Sequence, residues 1–340
     1  QTGPPVIESV SFRGLEHILY TQIEKNLRVR PGQFAAAPAI SGDVGRLFAT
    51  RLFDSVDYSL EPIGENRYRL VYIVKEAARN TLGVGLRYDT EYDFVALAEL
   101  TARQLFNTPS KATLSSQFGG LQNHSASLRI VSSSAPFIFV EPRVDLRRLE
   151  RLDIRDEKLI DKYTDKREGG QLLVGASILK QLEVDGGYRI ERVRISGGSQ
   201  PNVLADTNVL AGLTFHINRD SLDSPEFPRS GTAVKFQLDK RSKSLGGDFD
   251  YSKWQADFGR YFPLSADYAL QINASAGYTH GLVPFYDQFY IGGYSFSEIA
   301  ARQFPGLRRD EAVMRQMGIV GASFRRQLFS QPLGFIKRGF

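Results

Sequence analysis

The 340-residue chain carries 43 Lys and Arg against 38 Asp and Glu, a formal net charge of +5, with 42% hydrophobic and 24% charged residues and no cysteine. These values suit a folded chain and exclude a disulfide scaffold and a thiolate metal site. No run of about 18 apolar residues occurs, so no transmembrane helix is expected, but a membrane β-barrel stays open because its alternating strands average to an ordinary hydropathy.

The basic excess is interleaved with acids, as at Arg147, Arg148 and Arg151 beside Glu150, Asp153 and Asp156. It therefore makes no coherent nucleic-acid face. The chain opens at Gln1 with nothing like a signal peptide beside it, which points to a cleaved precursor or a fragment.

Residues 1–78 read as a small α/β unit. VIESVSFRGL alternates in strand fashion and stops at Gly14. TQIEKNLRV predicts a helix behind a Thr21 cap, closed by Pro31-Gly32. A second helix is expected over about residues 41–53, from the spacing of Val44, Leu47, Phe48 and Leu52. SVDYSLEPI and NRYRLVYIVKEA follow as two strands around a Gly64-Glu65-Asn66 turn. This order, with VIESVSFRGL, Arg30-Pro31-Gly32 and LFATRLFDSVDYSLEP, resembles a POTRA domain, the polypeptide-transport-associated module in front of outer-membrane transporter barrels.

Residues 79–340 change to period two. Leu82, Val84, Leu86 and Tyr88 oppose Gly83, Gly85, Arg87 and Asp89, and Ala126, Leu128 and Ile130 oppose Ser125, Ser127 and Arg129. Leu182, Val184, Tyr188 and Ile190 likewise oppose Glu183, Asp185, Arg189 and Glu191, and Leu270, Ile272, Ala274, Ala276 and Tyr278 oppose Gln271, Asn273, Ser275 and Gly277. A soluble sandwich also alternates. Strands of about 10 residues, charged along the whole polar side, instead suit an antiparallel transmembrane barrel with a polar lumen. Phe137, Phe139, Trp254, Phe258, Tyr261, Phe262 and Tyr278 are candidate interface girdles. About eleven strands are expected before Gly292 and one or two after it, the last from about Leu333. Bacterial barrels carry an even strand number, so a 16-stranded parent whose last few strands are missing here is the expectation.

Two stretches carry a closer resemblance. NRDSLDSPEFPRSGTAVKFQLD sets Asp220, Asp223, Phe227, Pro228 and Gly231 in an acidic, proline-bound turn. FYIGGYSFSEIAARQFPGLRR places Gly292 and Gly293 at a reversal, anchored by Tyr290, Tyr294 and Phe296, ahead of a long polar and basic segment. Both look like parts of the BamA/TamA/FhaC superfamily of outer-membrane insertases and transporters. The second matches the superfamily loop that folds back inside the barrel, here over about residues 289–316. In that family the loop carries an arginine that pairs with an acid of the inner wall. Phe296, Ser297, Glu298 and Ile299 stand here where the family has valine, arginine, glycine and an aromatic residue. Arg302 is the candidate replacement.

Ser297 in the arginine's place is similar to the barrels of patatin-like autotransporters, class d of type V secretion, as are SLGGDFDYSKWQADF and GASFRRQLF. The resemblance implies a bacterial outer-membrane barrel with its N-terminal domain in the periplasm. It implies secretion or surface display of an N-terminal passenger, a patatin-type phospholipase absent from this chain. The partners it implies are the outer-membrane bilayer, the passenger polypeptide, the barrel assembly machinery and a second copy of the chain. A BamA-like insertase and a soluble β-rich binding protein are the alternatives.

Catalytic signals are missing. No G-x-S-x-G occurs, and Asp185-Gly186-Gly187 lies inside an alternating strand, where a glycine pair marks a bend or close approach. His17, His124, His216 and His280 show no metal-ligand spacing, so neither a metal nor a cofactor is expected. His216 reads as a lumen hydrogen-bonder, and the charge run 147–168 as solvated strand ends around a surface loop.

Overall fold

A computed structural model describes residues 5–50, 52–105, 109–132, 137–155, 158–179, 181–197, 207–224, 228–265, 267–293, 304 and 306–326. The first elements are strand β1 (Val6–Arg13), helical turn α1 (Tyr20–Ile23), helix α2 (Ala37–Ala49), strand β2 (Phe53–Gly64) and strand β3 (Arg67–Glu76). They form a three-stranded sheet in the order β1-β3-β2, with β1 parallel and β2 antiparallel to the central strand. Asn66, at φ +58°, makes the tight turn between β2 and β3.

Two helix boundaries differ from those expected. Leu19, not Thr21, holds the N-cap position of α1, and its N–H donates to the Gln22 side chain (3.2 Å). The segment tightens at once into a 3₁₀ turn over Glu24–Asn26, so Thr21 lies inside the helix. Helix α2 starts at Ala37 because Pro38 is tolerated in a first turn, where its missing N–H has no partner to lose. It stops where the Thr50 hydroxyl turns back to the Leu47 carbonyl (2.6 Å), which leaves Phe53 to open β2. The core of the unit joins Ile7, Ile23, Leu47, Leu70 and Tyr72. Asp43 is buried among them and accepts the N–H groups of Arg28 and Val29 and the Tyr72 hydroxyl.

The second sheet has twelve strands. They are β4 (Asn80–Asp89), β5 (Asp93–Arg103), β6 (Ser110–Gly119), β7 (Leu121–Val131), β8 (Phe137–Arg155), β9 (Lys158–Leu179), β10 (Leu182–Ser196), β11 (Thr207–Asp220), β12 (Gly231–Arg241), β13 (Tyr251–Pro263), β14 (Tyr268–Gly281) and β17 (Gln316–Arg326). Each pairs antiparallel with the next, and β17 closes on β14. Eleven of the twelve precede Gly292, as the alternation implies. A short pair, β15 (Phe289–Ile291) and β16 (Ala312–Met314), stands apart between β14 and β17. Among the described residues β4 and β17 are the sheet edges, and the strand expected from Leu333 lies outside them.

Because consecutive strands run antiparallel, their connections alternate between two ends. The end that carries the α/β unit also holds the β9–β10, β11–β12 and β13–β14 turns. The opposite end holds the β4–β5 and β8–β9 turns and the long β14–β17 connection.

The two faces of this sheet are sorted inside out. Leu82, Val84, Leu86, Tyr88, Trp254 and Phe258 are exposed, whereas Asp165, Arg167, Asp185, Glu191, Asp239 and Arg241 are buried. That is the reverse of a protein whose outside meets water. Phe137 and Phe139 are not part of an exposed girdle, because both are buried. Phe139 lies on the polar face under the Arg129 guanidinium (4.0 Å), in room left by Gly175, where a Cβ would sit 2.5 Å from its ring.

Candidate functional site

The β14–β17 connection folds against the polar face, and its residues touch strands far apart in the sheet. On its first limb, the Asp287 carboxylate accepts from the Tyr251 hydroxyl of β13 (2.6 Å) and from Arg167 of β9 (3.1 Å). Lys253 Nζ donates to the Asp287 carbonyl (2.7 Å), and Arg167 donates to the Tyr286 carbonyl (2.5 Å). Arg167 is itself fixed by Asp165 (2.9 Å). The Tyr290 hydroxyl lies 2.8 Å from that of Tyr163, and the Arg151 guanidinium stacks 3.9 Å above the Tyr290 ring.

The second limb reaches other strands. Asp310 accepts from Arg151 of β8 (2.8 Å), while the adjacent Arg309 donates to the Glu91 carbonyl in the β4–β5 turn and stacks 4.5 Å over Tyr92. Contacts from one loop to β4–β5, β8, β9 and β13 require the sheet to curl around it, with the ionic face as the lumen wall.

Gly292 and Gly293 sit where that loop reverses, both with positive φ (+126° and +76°). A Cβ at Gly292 would lie 2.0 Å from the Arg308 carbonyl, and one at Gly293 would lie 2.3 Å from the Glu91 carboxylate. Both glycines therefore serve close approach as well as the turn. Tyr294, Phe296, Ser297 and Arg302 lie outside the described residues.

The acidic turn is at the other end of the strands. Asp220 accepts the Leu222 N–H (3.0 Å), Asp223 accepts the Arg229 N–H (2.9 Å), and Arg229 reaches the Ser265 carbonyl of the next turn (2.7 Å). Burial alone would raise the Asp223 carboxyl, but the Arg229 and Ser230 N–H groups outweigh it and hold it below its ordinary range. Gly231 has φ +108° and leaves no room for a Cβ, which would meet the Ser221 carbonyl at 2.3 Å. Pro228 leads into this turn, and Phe227 lies outside the described residues. Among the described residues the motif builds a turn and makes no hydrogen bond or ion pair to the loop.

The residues that hold the loop escaped the sequence reading. Arg151, Asp165 and Arg167 belong to the charge run 147–168, yet they are only 8%, 0% and 5% exposed. Glu150 and Lys162 of the same run pair at the exposed surface (2.9 Å). The run thus forms strand ends of β8 and β9, as expected, but only one of their two faces is solvated. Its period-two phase was the signal. Deeper in the lumen, His216 bonds Asp185 (2.6 Å) and Thr214 (3.1 Å). At Gly187 a Cβ would lie 1.9 Å from the Leu172 carbonyl, so the Asp-Gly-Gly stretch is a close approach of neighbouring strands.

A long antiparallel meander, apolar outside, ionic inside and curled around an inward loop, marks the chain as a membrane β-barrel protein. It belongs to the Omp85 superfamily, whose domain matches residues 79–301. This family excludes the soluble β-rich alternative. The outer membrane protein assembly factor BamA of Nitratidesulfovibrio vulgaris is 26% identical over 300 residues, which cover 84% of this chain and 36% of that protein. Two solved structures share the fold. One is BamA from Haemophilus ducreyi lacking POTRA domains 1–3, with a TM-score of 0.57 and 16% identity over 85% of this chain and 59% of the other. The other is CdiB from Escherichia coli, with a TM-score of 0.66 and 11% identity over 96% and 63%. The chain therefore spans about a third of the curated relative and under two-thirds of each solved structure.

Proposed function

We propose that this chain is a polypeptide-translocating module of the bacterial outer membrane, with residues 1–78 as a periplasmic POTRA domain and the β14–β17 loop as a removable plug. The observation that carries this reading is the loop's attachment on both limbs, by Asp287 and Asp310, to buried cations of the lumen wall. A cavity of about 670 Å³ supports it. That cavity lies between Phe48 and Leu52 of the α/β unit and the Thr113, Ser115, Ser125 and Ser127 side chains of the wall. Glu99, Arg103, Lys111, Arg129 and Glu141 line it too, so its wall offers an extended chain in transit both neutral hydroxyls and charged hydrogen-bonding groups. Strand β2 is an edge of its sheet, and so is β1 beyond Ile7, up to which the segment 32–35 already covers it, so either could accept such a chain by strand addition.

The passenger in this reading is N-terminal and of the patatin phospholipase type, as Ser297 in the place of the family arginine suggests. The present chain is then an anchor and conduit and not itself an enzyme, with the bilayer, the passenger, the barrel assembly machinery and a second copy as partners. The test is single-channel conductance in planar bilayers. Arg151→Ala combined with Asp310→Ala should raise the open fraction severalfold, and the same variant should alter export of an N-terminally fused passenger. Unchanged conductance would remove the plug from the proposal. The identity to a BamA favours a second reading, insertion of other barrel proteins. Proteoliposomes that accelerate folding of an unrelated barrel, with no passenger exported, would select it.

A further inference from the structure

A second cavity, of about 400 Å³, lies where the α/β unit meets the rim of the sheet. Lys25, His17 and Arg79 line it together with the amides Gln22 and Gln104, and among the described residues no carboxylate does. The Glu76 carboxylate lies just behind. It accepts the N–H groups of Glu16, His17 and Ile18 and stands 3.4 Å from the His17 ring, so it fixes the segment that carries His17.

The opposite wall is apolar and leads outward. Ile130 and Val131, at the end of β7, complete the cavity with Pro109 and Leu52. Ile130 is 44% exposed, and its cross-strand partner Val140 is exposed as well, so the cavity is continuous with the outer apolar face. Just beyond His17, Leu19 (64% exposed) and Tyr20, the first residue of α1, add two exposed apolar side chains. Leucine and tyrosine beside a basic cluster are the composition of a membrane-surface contact.

We propose that this cavity binds the headgroup of an anionic phospholipid of the periplasmic leaflet, its phosphate among Lys25, Arg79 and His17 and its acyl chain along Ile130 and Val140. The site fastens the α/β unit to the membrane rim and so sets its angle to the lumen mouth. The inference needs the outer face to meet lipid, which family membership supplies, and rests on the periplasmic placing of the α/β unit proposed above, but it is independent of whether a polypeptide crosses the lumen.

The test is native mass spectrometry of the full chain released from nanodiscs containing phosphatidylglycerol and phosphatidylcholine. The wild type should retain phosphatidylglycerol selectively. Lys25→Gln with Arg79→Gln should retain roughly thirtyfold less, two surface cations being lost, while Lys158→Gln at the opposite end should behave as wild type. A heat-modifiable electrophoretic shift shared by all three proteins shows that the barrel is folded in each. Equal retention by the double variant, or no preference over phosphatidylcholine, overturns the proposal. Inorganic phosphate that displaces the lipid completely at millimolar concentration also overturns it, because the acyl chain would then contribute nothing.

Discussion

The α/β unit and the twelve-stranded sheet bury opposite kinds of residue. In the unit, Ile7, Ile23, Leu47 and Tyr72 are withdrawn from solvent around the buried acid Asp43. In the sheet, Val84 and Leu86 are 70% and 77% exposed while Asp165 is wholly covered. One chain thus follows a single rule in two solvents. Apolar groups leave water in both cases, into the unit's own core in the first and into the bilayer in the second. The unit therefore carries its stability within itself, whereas the sheet needs lipid or detergent outside and paired charges inside.

Removing one member of the lumen network should give the largest effect. Arg167→Leu leaves Asp165, Asp287 and Glu191 short of a counter-charge and is expected to cost about 3–5 kcal/mol. The temperature at which the folded barrel loses its electrophoretic shift should fall, with the unit unaffected. If that temperature is unchanged, the inner face owes little to its ion pairs and the contrast fails. Leu47→Ala is the reciprocal change, expected to cost about 2–5 kcal/mol within the unit alone. Hydrogen exchange should then accelerate in residues 5–77 while the sheet keeps its protection, and joint loss would show one cooperative body.

The smallest effect is a dependence on pH. Burial alone would raise the Glu76 carboxyl, but the N–H groups of Ile18, Glu16 and His17 outweigh it and hold it below the ordinary range. A depressed carboxylate stabilises the folded state fully above the ordinary Glu value of about 4.3. That contribution is lost as pH falls through the lower folded value. Glu76→Gln should flatten the acid limb of the unit's stability and leave neutral pH less stable than in the wild type. An unchanged acid limb would assign the acid sensitivity to other carboxylates.

The strands were legible because every second residue reports one solvent. Leu82, Val84, Leu86 and Tyr88 are all exposed, as their phase requires. The turns were legible where glycine has no substitute, at Gly231 and at the Gly292-Gly293 pair. The attachments of the loop were not. Arg151 and Asp310 are 159 positions apart and meet only after the sheet has curled, so no local pattern encodes them. The aromatic phase also misled at Phe137 and Phe139, because a bulky ring can be accommodated on the lumen side wherever a glycine such as Gly175 stands opposite. Helix α1 failed for a local reason, in that its periodicity spans a segment too short to hold more than a single α-helical turn.

Arg309 and Asp310 are neighbours in sequence, yet one reaches the β4–β5 turn and the other reaches β8. Strand β4 is an edge of the sheet among the described residues. The loop's second limb therefore ties the outermost hairpin to the middle of the wall, and the position of that hairpin is coupled to the seat of that limb. Swinging the hairpin outward pulls on Arg309 and, through one peptide bond, on Asp310. Freeing Asp310 in turn slackens the hairpin's tie to the wall, so the seat of the second limb and the set of the edge report on a single mechanical linkage.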